Sequence, residues 1–341
     1  MLALWIILYL VVAAAVVFLS VKISKYVDLL DKKTSMSGAI IGGVFLAAVT
    51  SIPELFTSIS AIFIVPGAES SSMVIGNVLG SDIFNSMVLG IAIIFTYKGF
   101  KKAKIGKGHI ASSITVVVLY GLIAYATLVP SKYQLVIGGA VNIISILLLI
   151  VYALSIKFMS TPDTGEDEEV EDTSNLTVKQ IVIRFILLSV LLIGASIGIT
   201  YVTDIISSEL NLGKTFAGAI FLGVATSLPE LSATISLCKL GNYDAATGNI
   251  VGSNTFNFII LVLADIVSWH NPIYVKNTQS ILLIILGVVS AIAMCALIIH
   301  KTTKRYKENE EPNVGTKILH LSLSAVVVLS YIAFIVLSNV L

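Results

Sequence analysis

Long apolar runs dominate this chain, separated by short polar clusters, and the runs are of membrane-crossing length. A helix rising 1.5 Å per residue needs about 20 apolar residues to cross about 30 Å of hydrocarbon. By that measure the pattern predicts ten helices, at roughly 3–21, 38–65, 72–96, 110–129, 134–156, 180–203, 215–237, 245–268, 278–299 and 318–340. They fall five and five around a hydrophilic stretch, which divides the chain into a first five-helix repeat at 1–157, a linker at 158–178 and a second five-helix repeat at 179–341. The expected fold is an all-α polytopic membrane protein.

The two halves repeat in wording as well as in helix count. Residues 42–55 read GGVFLAAVTSIPEL and residues 218–231 read GAIFLGVATSLPEL. A second phrase follows each, GNVLGSDIFN at 76–85 and GNIVGSNTFN at 248–257. Each first phrase places a glutamate, Glu54 or Glu230, inside an apolar run. An ionisable side chain there costs at least about 2.5–3.5 kcal/mol and usually lines a polar pathway. Two of them at equivalent places of an internal duplication point to one cation site built by both halves.

Composition sharpens this picture. The 341 residues are 57% apolar and 12% charged, with a mean hydropathy of +0.99, which excludes an ordinary soluble domain. The first run is read as a transmembrane helix and not a signal peptide, because positive charge follows it (Lys22, Lys25, Lys32, Lys33) instead of preceding it.

With the N-terminus outside, the inside loops hold Lys22, Lys25, Lys32, Lys33, Lys98, Lys101, Lys102, Lys104, Lys107, Lys157, Lys179, Arg184, Lys239, Lys301, Lys304, Arg305, Lys307 and Lys317. The outside loops hold Lys132, Lys214 and Lys276, so the bias is eighteen to three in favour of both termini outside. Five helices per half is an odd number, so the second half enters from the opposite side and the repeats are inverted, an arrangement of secondary transporters.

The net charge of +1 gives no reason to expect a nucleic-acid partner; the lipid bilayer is the expected surrounding, in a plasma membrane of bacterial type. Six acids in seven positions at 166–172 read as a solvated linker, without the ligand-and-glycine spacing of a calcium loop. Cys238 and Cys295 read as packing residues.

The motifs carry oxygen ligands on shared helix faces. Thr50 and Glu54 are four apart with Ser51 beside them, as are Thr226 and Glu230 with Ser227. Pro53 and Pro229 cannot donate backbone hydrogen bonds, which frees the carbonyls four residues back and loosens the turns that hold the Thr50 and Thr226 carbonyls. Ser81 with Asn85, and Ser253 with Asn257, add a hydroxyl and an amide to one face of a second helix in each half. No lysine or arginine lies in these runs, so the counter-charge must be a bound cation or a proton. Hard oxygen ligands suit Ca²⁺ and Na⁺, with protons as competitors; no histidine or cysteine is placed to recruit zinc or copper.

At these residues the sequence resembles the sodium/calcium exchangers of the Ca²⁺/cation antiporter superfamily. The likeness rests on the paired T-S-[IL]-P-E and G-N-x-x-G-S-x-x-x-N phrases and spans nearly the whole chain. It implies alternating access, with Na⁺ and Ca²⁺ competing for overlapping sites and no cofactor. By position it implies Glu54 and Glu230 as shared carboxylates, with the Thr50 and Thr226 carbonyls completing a Ca²⁺ site. Sodium positions would draw on Ala47, Ser51 and Ser81, and on Gly223, Ser227 and Ser253, with Asn85 and Asn257 lining the middle.

Some relatives carry an aspartate where this chain has Asn257, and Asp82 stands where an asparagine or another small residue often follows the Gly-Ser. Asp82 is either a third carboxylate, as an extra proton or cation site, or a protonated group bonded to a neighbouring helix, and the second is the expectation. The glutamate that follows Gly-Asn in proton-coupled relatives is absent from Gly76-Asn77-Val78-Leu79-Gly80. Sodium/calcium exchange is therefore the expected activity, with H⁺/Ca²⁺ antiport as the alternative and a passive cation channel behind it. An enzyme is not expected.

Overall fold

The computed structural model describes residues 2–34, 36, 38–64, 68–130, 133–137, 141–159, 175–210, 223–269, 272–304 and 313–338. The acidic run at 166–172, residues 215–222 of the expected seventh helix, and Lys132, Lys214, Arg305 and Lys307 lie outside the described residues.

The apolar runs form helices. They are α1 Leu2–Lys33, α2 Ile41–Thr50 and α3 Ile52–Ile64, α4 Ala68–Phe95, α5 Gly108–Leu128 and α6 Ile143–Met159. After the linker come α7 Val178–Glu209, α8 Leu228–Lys239, α9 Tyr243–Ser268, α10 Thr278–Thr303 and α11 Val314–Ser338. Among the described residues seven helices are long and apolar enough to cross a membrane, and the bent pair α2–α3 makes an eighth. Polar caps set several starts. Thr177 and Gln180 form a reciprocal capping box at α7, and the Asn242 and Asn277 side chains accept from the first turns of α9 and α10.

Three boundaries differ from the sequence pattern. α1 runs on to Lys33, well past the expected end at 21, because Lys22 and Lys25 are strong helix formers that extend it beyond the apolar stretch. The expected helix over 134–156 is helical only from Ile143. Before it, Val136–Ile137 pairs antiparallel with Val141–Asn142. The expected helix over 38–65 is bent by 43° between α2 and α3, at Ser51. Pro53 explains that bend, since its ring and its missing N–H disrupt the preceding turn. α2 also opens as a π-helix over Ile41–Leu46, a form that often marks functional segments.

α9 lies at the centre and touches α2, α3, α4, α5, α6 and α8. α4 packs on α9, α10 and α11, whereas α1 packs along α7 and is the least buried span. At the α2–α9 contact the backbones meet. A Cβ on Gly252 would collide with the Gly43 carbonyl, so only glycine permits this approach.

The α9 end that carries Asp265 is also held by polar bonds. Asp265 is buried, and its Oδ2 accepts from the Asn142 amide N–H at 2.8 Å and the Ser145 hydroxyl at 2.7 Å, capping the start of α6.

Candidate cation site

The two helix breaks face each other. Ser51 sits between α2 and α3, and Ser227 stands immediately before α8, which opens with Leu228, Pro229 and Glu230. Each break leaves a serine hydroxyl and, three residues later, a glutamate near the start of the next helix. The structure crosses them over. The Ser227 hydroxyl donates to Glu54 Oε1 at 2.8 Å, and the Ser51 hydroxyl donates to Glu230 Oε1 at 3.1 Å. Each half thus supplies the hydroxyl for the other half's carboxyl.

Both glutamates are sealed from solvent, at 1% and 0% exposure. Neither Oε2 atom has a hydrogen-bond partner among the described residues, and no lysine or arginine there pairs with either carboxyl. The crossed serine bonds bring both carboxyls to the paired helix breaks. Two like charges in a low-dielectric interior are costly, and a cation between them converts mutual repulsion into shared attraction.

The second phrases close the site from α4 and α9. Ser81 lies 3.4 Å from the Ser227 hydroxyl, and Ser253 lies 3.4 Å from the Thr50 hydroxyl. The Thr226 hydroxyl donates to the Gly223 carbonyl at 3.0 Å, and the Thr50 hydroxyl to the Ala47 carbonyl at 3.3 Å. Both carbonyls also receive the amides of Ser227 and Ser51. Asn85, one turn from Ser81, is buried with neither amide atom partnered among the described residues. Asn257 donates through Nδ2 to Asp82 Oδ1 at 2.8 Å, and its Oδ1 has no partner there. Buried polar atoms are rarely left unpaired in a native fold, so this concentration of bare oxygens marks a place for a ligand.

Glu54, Ser227 and Ser81 form one chain of contacts. Glu230 bonds Ser51, and next to Ser51 the Thr50 hydroxyl lies 3.4 Å from that of Ser253. Asn257 is joined to Asp82, while Asn85 is placed only by its helix turn. Sequence reasoning passed over Asn77 and Asn249. Asn77 Nδ2 donates to the Glu54 carbonyl at 3.1 Å and to the Ser58 hydroxyl at 2.9 Å. Asn249 Nδ2 donates at 3.0 Å to the hydroxyl of Thr234, the counterpart of Ser58. These bonds fasten each glutamate-bearing helix to the helix of the following phrase. The available signal was their recurrence in both copies of Gly-Asn.

The family model described as sodium/calcium exchanger protein matches residues 1–160 and 180–340. An uncharacterized membrane protein of Methanocaldococcus jannaschii is 27% identical over 260 residues, 75% of this chain and 78% of the relative. The sodium/calcium exchanger MaX1 of Methanosarcina acetivorans is 33% identical over 124 residues, 36% and 33% of the two chains. Among solved structures, the sodium-calcium exchanger NCX_Mj superposes with a TM-score of 0.68 at 18% identity, covering 97% of this chain and 98% of that one.

Proposed function

We propose that this chain, which belongs to the sodium/calcium exchanger protein family, exchanges Na⁺ for Ca²⁺ across the membrane by alternating access. That it is an integral membrane cation/Ca²⁺ antiporter, and not an enzyme, follows from the family. Such a transporter carries Ca²⁺ and Na⁺ as substrates without a cofactor. The identity of the coupling ion and the ligand set are the proposal.

The observation that carries it is the reciprocal bonding of Ser227 to Glu54 and Ser51 to Glu230, with a bare Oε2 on each carboxyl. Two carboxylates balance one Ca²⁺ or two Na⁺, so the two substrates compete for one charge. On ion binding each serine hydroxyl turns its proton away from the carboxylate and offers a lone pair to the cation. The Thr50 and Thr226 carbonyls complete the Ca²⁺ position. Ala47, Gly223, Ser81, Ser253, Asn85 and Asn257 serve the Na⁺ positions and the centre between them. The halves 1–157 and 179–341 act as inverted five-helix repeats about this site, with 158–178 as the linker and both termini outside a plasma membrane.

The test is uptake of radiolabelled Ca²⁺ into proteoliposomes loaded with Na⁺ or with K⁺, each with and without an imposed pH gradient. Uptake that needs internal Na⁺ and ignores pH is the expected result. Uptake driven by the proton gradient without Na⁺ would replace this reading with H⁺/Ca²⁺ antiport. Flux independent of any trans ion would indicate a channel.

A further inference from the structure

Resting on that reading, we infer that Asp82 is a positioning residue, which fixes the Asn257 amide so that its carbonyl oxygen is presented to the transported ions. An asparagine side chain has a donor end and an acceptor end, and only the acceptor can hold a cation. In an interior without a bias, the two orientations interchange by a flip. Here the bias is explicit. Asp82 Oδ1 on α4 accepts from Asn257 Nδ2 on α9 at 2.8 Å, which engages the donor end of the amide. The amide oxygen is thereby turned to the opposite side, where it is buried and unpartnered among the described residues.

Asp82 is itself held in place. Its backbone carbonyl accepts from Asn254 Nδ2 at 3.1 Å, and Asn254 also donates to the Ser86 hydroxyl at 2.9 Å. Tyr120 of α5 is buried against α9, the helix that carries Asn257. That tyrosine is wedged edge-on against Phe258, with ring centroids 5.2 Å apart, in a space that any Cβ on Gly287 would fill. Residues 82 and 254 occupy equivalent places in the two phrases, and both reach across the α4–α9 contact. At 254 an asparagine ties helix to helix; at 82 the carboxyl also holds the donor end of the Asn257 amide. The carboxyl thus stands one step behind the ligand.

The test compares purified wild type, Asp82→Asn, and the exchanged pair Asp82→Asn with Asn257→Asp. Its readouts are the half-saturation for Ca²⁺ and for Na⁺, taken from ion-dependent thermal stabilisation in detergent, and the Tm without ions. Asp82→Asn is expected to raise both half-saturation values about tenfold, the scale of a lost orienting hydrogen bond, because an amide at 82 can face Asn257 with its donor or its acceptor, with little change in ion-free Tm. The exchanged pair rebuilds the bond with reversed polarity and moves the carboxyl into the site. It is expected to keep the ion-free Tm but to shift the ratio of the Na⁺ and Ca²⁺ half-saturation values. A folded Asp82→Asn protein with wild-type values for both ions would overturn the inference. So would an exchanged pair indistinguishable from wild type, since that outcome makes the bond a helix tie alone, and this arm decides the matter if Asp82→Asn does not fold. Wild type stabilised by neither ion would instead overturn the proposed cation site itself.

Discussion

At the residue scale the site is defined by a charge with no protein answer. Glu54 and Glu230 sit buried beside one another, and among the described residues only hydroxyls serve their oxygens. Removing one partner of a buried charged interaction costs about 2–5 kcal/mol. Glu54→Gln and Glu230→Gln are each expected to weaken Ca²⁺ binding by a hundredfold or more, on the order of that cost, and to abolish uptake; normal uptake by both variants would remove the proposed site. The serines carry less. Ser51→Ala and Ser227→Ala leave a glutamate oxygen bare but keep both charges, so each should weaken ion binding only about tenfold, as read by titration of the purified variants. The glutamates were legible in the sequence because an ionisable group inside an apolar run has no bland explanation. Asn77 and Asn249 were not, because Gly-Asn reads as close packing until the partner helix is in view. Nor could the crossing of Ser51 to Glu230 be read from spacing, which reports only neighbours on one helix.

The elements place these residues by being broken at chosen points. A continuous helix would keep Ser51 and Glu54 on one rod and bond every carbonyl internally. The 43° bend at Ser51 instead turns the first residues of α3 towards the site, and Pro229 stands in the first turn of α8 in the same relation to Glu230. Both prolines were visible in the sequence as interruptions, although the bend and the π-helical opening over Ile41–Leu46 were not. The short strand pair before α6 also escaped the hydrophobic pattern, since Leu135, Val136 and Ile137 are as apolar as any helix start. Close backbone contact then sets how α2 meets α9. Gly252→Ala should force those helices apart, lowering stability by about 1–3 kcal/mol and reducing transport, because its Cβ meets the Gly43 carbonyl. Gly121→Ala, on α5 with nothing within 4 Å of its Cβ, is the control and should leave both unchanged or raise stability slightly. Equal loss in the two variants, measured by thermal unfolding in detergent, would show that the α2–α9 contact is not what Gly252 protects.

For the whole molecule, the proposed inverted repeat depends on counting crossings, and the count turns on the elements where the structure is least like a plain helix. α6 has 17 residues and rises about 26 Å, short of a full hydrocarbon core. α8 holds only the later part of the expected helix over 215–237. Five expected crossings separate the basic loop after α4 from the loop after α9, so those loops should lie on opposite faces. The eighteen-to-three distribution of positive charge supports that assignment. The native cysteines make it measurable, since Cys238 and Cys295 are buried and should contribute little background. Single Lys102→Cys and Lys276→Cys variants place a thiol at exposed positions in the two loops. An impermeant maleimide applied to intact cells should label position 276, and should label position 102 only after the membrane is opened. Should α6 or the broken helix before Lys239 fail to cross, the number of crossings becomes even and both positions label from one face. Loss of the α6 crossing would make the two halves parallel, and the crossed serine–glutamate pairs would then need an explanation other than an inverted repeat.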